Sequence, residues 1–118
     1  MTDAEPGITI DVVVPGAFVR LSGRLSSTTV ADVRIVLREA VDAGVDDLRV
    51  GLADVELIDA TGLGVLVATH RRALRNGRRM VLQDVPPRLE RLLAVTRLHR
   101  VLYRSGATSL VVDNPIAG

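Results

Sequence analysis

Residues 57–64 read LIDATGLG, and here the types and spacing of side chains ask for an explanation. Asp59 and Thr61 flank Ala60 where a strand-like run meets the start of a helix, and Gly62 and Gly64 follow within the first turns. Glycine costs about 1 kcal/mol in a helix relative to alanine. A carboxylate beside a hydroxyl could serve acid–base or nucleophilic chemistry, but the chain offers neither a partner. No nucleophile–base pair, carboxylate pair or metal constellation is visible. There is no cysteine, and the only histidines are His70 and His99. The loop also fails as a phosphate cradle. A dinucleotide fingerprint needs G-x-G-x-x-G, whereas Gly62-Leu63-Gly64 runs on into Val65, Leu66 and Val67. A P-loop needs lysine, and the chain has none. The sequence therefore points to a binding module, not an enzyme, with no cofactor and no metal.

Asp59 instead suits the N-cap of a helix. Four amides there lack an intrahelical partner, and a carboxylate complements the positive end of the helix. Glycines without a Cβ let another backbone come close. That backbone could belong to this sheet or to a partner protein.

Other polar residues have plainer readings. His70 falls on an apolar stripe and reads as a boundary or satisfied core histidine. Arg71, Arg72, Arg75, Arg78 and Arg79 crowd one helix end and the following strand. They suit a solvated face whose cations favour a helix C-terminus, or a patch that meets an acidic partner. A net charge of +1 and only two aromatics, Phe18 and Tyr103, argue against nucleic acid.

These residues need a scaffold. The 118 residues fit one domain, 1–118, with residues 1–7 and 113–118 expected to be flexible ends. Apolar residues make up 47%, nearly all aliphatic. The N-terminus MTDAEPG is not a signal peptide. No apolar run approaches the roughly 20 residues of a membrane span, so a cytoplasmic, non-membrane protein is expected. Charge is split by sign: residues 1–59 carry eleven acidic and five basic residues, and residues 60–118 three acidic and ten basic.

The pattern predicts strands at Ile8–Val14 and Ala17–Leu21, joined by Pro15-Gly16 and closed by Gly23. A helix follows, with Thr29 as N-cap and Asp32 completing an acidic capping box. Its stripe is Val30, Val33, Leu37, Ala40 and Val41, and Gly44 stops it. Leu48–Leu52 is a strand. A second helix spans about Thr61–Asn76 with Leu63, Leu66, Val67, His70 and Leu74 inward, and Gly77 stops it. Arg79–Val85 is a strand, and Pro86-Pro87 opens a third helix that buries Leu89, Leu92 and Leu93. Val101–Tyr103 is a short strand, and the tail from Gly106 is ambiguous. The fold class is α/β in the order β-β-α-β-α-β-α-β, a mixed four- to five-stranded sheet with helices packed on it.

The segment VELIDATGLGVLVATHRRA, followed by a strand and by PPRLERLLAVTRLHRVL, resembles the STAS (SpoIIAA-like) domain of bacterial anti-sigma factor antagonists. The most specific match is D-x-[ST]-G-L-G-V-L. The resemblance implies a regulator that binds an anti-sigma factor, usually a serine kinase with a histidine-kinase-like ATPase fold, and so frees a sigma factor. Phosphorylation of the residue after the aspartate makes such an antagonist let go. A phosphate adds about two negative charges, and a helix N-terminus tolerates them. Here that residue is Ala60, which has no hydroxyl. Relatives often read G-E-L-D before the first helix, and this chain has Gly23-Arg24-Leu25-Ser26. The implied docking surface comprises Ser26, Asp59, Ala60, Thr61, Gly62 and Gly64, with Val65, Ala68, Thr69 and Arg72 as an exposed face of the second helix. Three readings follow: an antagonist that phosphorylation at the usual site cannot switch off; one that uses Thr61, about 100° further round the helix; or a STAS subunit of a larger assembly, such as a lipid-transport ABC system or a scaffold of STAS proteins.

Overall fold

The computed structural model describes residues 7–105; the expected tail from Gly106 lies outside them. The strands are β1 (Ile8–Val14), β2 (Phe18–Leu25), β3 (Leu48–Ile58), β4 (Met80–Gln83) and β5 (Tyr103–Ser105), and the helices α1 (Val30–Ala43), α2 (Ala60–Arg75) and α3 (Pro87–Val95). A 3-10 turn, Leu98–Arg100, precedes β5.

Among the described residues the sheet has five strands in the order β1-β2-β3-β4-β5. β1 pairs antiparallel with β2, and the remaining pairs are parallel. Buried residues of all three helices join one core cluster with the sheet, as right-handed crossovers stepping the same way would place them. Burial follows the two-residue period of a one-sided sheet. Val19 and Leu21 of β2, Leu48, Val50 and Leu52 of β3, and Met80 and Leu82 of β4 are fully buried. Arg20 and Arg49 alternate with them and are exposed. The core closes against Val30, Val33, Leu37, Ala40 and Val41 of α1, the stripe read from the sequence.

Several boundaries differ from expectation. β2 runs through Gly23, where both φ 102° and a Gly7 carbonyl oxygen that a Cβ would strike require glycine. Glycine marks a close backbone approach here, not a strand end. β3 continues through ADVELI to Ile58. β4 is shorter than expected, losing Arg79, Asp84 and Val85, with Asp84 at φ 56° turning the chain. β5 begins at Tyr103 because Leu98–Leu102 is taken up by the turn, whose Leu98 carbonyl accepts from the Val101 and Leu102 amides at 2.9 Å each. Thr29 holds the N-cap position of α1 but makes no side-chain cap. Its hydroxyl donates to the Arg24 carbonyl at 2.7 Å and accepts from the Ser26 amide at 3.0 Å, closing the β2–α1 loop instead.

The arginine cluster is largely consumed inside the molecule. Arg72 makes a bidentate pair with Asp42 at 3.0 and 2.8 Å, and Arg79 pairs with Asp47 at 2.9 Å. Arg78 is only 5% exposed. Its guanidinium donates to the carbonyls of Ala40, Val41, Asp46 and Gly16, so it ties the last turn of α1 to two loops. These contacts join the acidic first half of the chain to the basic second half.

Candidate partner-binding site

β2 and β3 end side by side, with Leu25 paired to Ile58. The chain then leaves β2 through Ser26 and Ser27 and leaves β3 through Asp59. In an open α/β sheet, ligands and partners meet the loops beyond the carboxyl ends of the strands.

Asp59 ties the two exits together. One carboxylate oxygen accepts from the Gly62 amide at 2.9 Å, capping α2 as the sequence predicts. The other accepts from the Ser27 amide at 3.1 Å. These bonds, that to Gly62 first, hold the carboxyl below its ordinary value of 3.8 because they stabilise the charged form. The Asp59 amide itself donates to the Leu25 carbonyl at 3.2 Å.

The two glycines separate into different roles. A Cβ on Gly62 would collide with the Leu25 carbonyl oxygen and crowd Ile58. The backbone it admits is therefore this sheet's own. A Cβ on Gly64 would meet nothing within 4 Å. Gly64 leaves bare helix surface beside exposed Ala60 and Thr61.

The remaining expected contact residues also divide. Ala68 is exposed and Arg72 half-buried. Val65 and Thr69, expected on the exposed face, are buried at 2% and 6%. Buried Val65, Leu66, Thr69, His70 and Ala73 make the inward face of α2 wider than the stripe read from the sequence, which placed Leu74 inward; Leu74 is half exposed. The Thr69 hydroxyl is satisfied by the Val65 carbonyl at 2.8 Å, which is how a threonine fits an interior helix face. Ser26 is half-buried, with its hydroxyl 3.1 Å from that of Thr28. His70 is buried, but its Nδ1 has no hydrogen-bond partner among the described residues, so it is not the satisfied histidine expected. Burial, then the nearby Arg71 charge, lowers its pKa from the ordinary 6.5.

Sequence reasoning missed Ser27, whose contribution is a backbone amide and leaves no side-chain signature. It placed Arg78 on a solvated face or an acidic-partner patch, whereas Arg78 is buried. Gly77, at φ 71°, turns the chain just before it.

A one-sided, mostly parallel sheet with a capped, surface-exposed helix start beside a short loop defines a domain of the α/β class. The family model described as "Mlab, STAS domain" matches residues 11–111. An anti-sigma-B factor antagonist of Staphylococcus epidermidis is 30% identical over 92 residues, covering 78% of this chain and 85% of that protein. One of Staphylococcus aureus is 29% identical over the same length. Among solved structures, an anti-sigma-factor antagonist (STAS) domain protein from Planctomyces limnophilus aligns with TM-score 0.69 at 20% identity, covering 89% of this chain and 93% of its own. The anti-sigma factor antagonist SpoIIAA in its unphosphorylated form gives TM-score 0.65 at 18% identity, covering 85% and 88%. The chain belongs to the STAS-domain family of anti-sigma factor antagonists.

Proposed function

We propose that this protein is a cytoplasmic anti-sigma factor antagonist that binds a kinase-type anti-sigma factor, a serine kinase of histidine-kinase-like fold, and so releases a sigma factor. One observation carries the reading. In a chain 30% identical to an anti-sigma-B factor antagonist, Asp59 presents the start of α2 and the Ser26–Ser27 loop as one surface.

Ala60 stands on that surface where the family resemblance puts the phosphorylated residue. An alanine cannot accept phosphate, so release through this position is closed and the antagonist acts constitutively. Thr61 is exposed and is the candidate substitute.

The test is binding to the kinase-type anti-sigma factors of the same genome, measured with and without ATP. The expected result is a stable complex that survives ATP with no gain in mass on the antagonist. An Ala60→Ser variant should gain about 80 Da, one phosphoryl group, and dissociate. A phosphoryl group on Thr61 of the unaltered protein would replace the constitutive reading with the switched one. Failure to bind any such factor would sink the proposal.

The missing hydroxyl also favours a second reading, a STAS subunit of a larger assembly such as a lipid-transport ABC system or a set of paired STAS proteins, because a permanent subunit needs no release switch. Co-purification of a transporter ATPase or permease would select it.

A further inference from the structure

A second feature lies directly beside the Asp59 surface. The last residues of β3 and the outer side of α3 enclose an open groove of about 460 Å³. Leu57, Ile58, Leu89, Leu92 and Val95 make it apolar. Leu57 is 46% exposed and Val95 80%. Neither is needed to close the core. Leu57 and Ile58 immediately precede Asp59, so the groove and the candidate partner-binding site form a continuous surface.

Charge on the lips of the groove restricts what can occupy it. Arg88 and Arg91, three residues apart on α3 and hence on one helix face, stand on one side. Arg20, Arg72, Arg79 and Arg104 each pair with a carboxylate and Arg78 is held by four carbonyls, so none of these five is available to a partner in the way that Arg88 and Arg91 are. Arg88 and Arg91 make no hydrogen bond or ion pair from their side chains among the described residues. Glu56 lines the opposite lip. An apolar trough with two uncommitted guanidiniums on one bank fits an amphipathic segment that carries aliphatic anchors with carboxylates along one side.

We infer that the groove between the end of β3 and α3 is a second docking site for the anti-sigma factor, filled by an apolar segment of that partner whose acidic flank pairs with Arg88 and Arg91. This deepens the proposed function and rests on it. Asp59 and its neighbours would align the partner, while the groove supplies buried apolar contact and the two arginines set direction. Arg71 and Arg75 at the end of α2 are exposed as well, but Arg88 and Arg91 are the arginines that border the groove.

The test measures the affinity of the anti-sigma factors of the same genome for the full-length protein, for Val95→Asp and for Arg88→Glu/Arg91→Glu, at low and at near-physiological salt. All three altered side chains are exposed, so the variants should melt with the unaltered protein. Val95→Asp should raise Kd about tenfold or more, as loss of an apolar anchor does. The double reversal should raise it similarly and flatten the salt dependence. An unaltered protein that binds while both variants bind equally well overturns the groove assignment and leaves the proposed function standing. An unaltered protein that binds none of the factors overturns both. A dimer of this chain that Val95→Asp dissociates would assign the groove to a second copy and overturn the inference.

Discussion

The Asp59 carboxylate is bonded to the Ser27 amide across 32 positions of sequence, at 3.1 Å. The same carboxylate caps its own helix at Gly62, at 2.9 Å. A single side chain thus fixes the angle between the β2–α1 loop and the start of α2. Replacing it with alanine removes both bonds at once. Asp59→Ala should lower Tm by several degrees, as loss of an N-cap does, and should weaken partner binding further than the melt alone explains. Asp59→Asn keeps one acceptor and should recover most of the thermal loss. A thermal melt of the two variants, followed by binding, separates the effects.

Gly62 and Gly64 should respond in opposite directions to the same change. Gly62→Ala drives a Cβ into the Leu25 carbonyl and should cost about 1–3 kcal/mol, as overpacking does. Gly64→Ala enters open space on a helix and should stabilise by about 0.5–1 kcal/mol, because alanine is the better helix former. Urea unfolding of both variants decides it; equal destabilisation would contradict the division of roles.

Arg78 should be among the least replaceable side chains. Without it, the carbonyls of Ala40, Val41 and Gly16 lose a charged donor in a buried setting. Arg78→Ala should cost about 3 kcal/mol by denaturant unfolding. Arg78→Lys should recover only part of this, since an ammonium cannot reproduce the planar fork.

Stability should fall on acidification in two stages. His70 is held neutral by burial, so its folded pKa lies below 6.5. Below that pH the unfolded chain takes up a proton the folded one refuses. Stability then falls by at most about 1.4 kcal/mol per pH unit for this one group. Asp42, Asp47 and Asp59 are depressed from 3.8, by the Arg72 hydrogen bond, the Arg79 hydrogen bond and the Gly62 and Ser27 amides respectively. Their contributions are complete above about pH 4–5 and are lost as pH falls through the folded values. A His70→Gln variant should abolish the first stage and keep the second, which stability measured between pH 7 and 3 will reveal.

Much of this was legible in the sequence, and the failures share a cause. The α1 stripe was read correctly because five aliphatic residues at helical spacing admit one buried face. Asp59 was legible as a cap because its bond is local, three residues ahead. What stayed hidden depends on contacts far apart in sequence. Gly23 is needed within the strand because the Gly7 carbonyl comes too close for a Cβ, and Ser27 matters only through its amide. Val65 and Thr69 turn inward because α2 packs against α1 as well as the sheet, which widens its buried face beyond a single stripe. The sign split along the chain did hold the Arg72–Asp42 and Arg79–Asp47 pairs in outline, since each partner comes from the half of opposite charge.

The order of the strands in the sheet is also their order along the chain. No described strand is threaded between two earlier ones. As the polypeptide leaves the ribosome, each new strand therefore finds its docking edge already made, and the sheet can grow from one side only. Every crossover closes a local loop, so contacts need not wait for the far terminus. The acidic half must stand without Arg72, Arg78 and Arg79 until α2 and β4 emerge, and the last turn of α1 is secured only then.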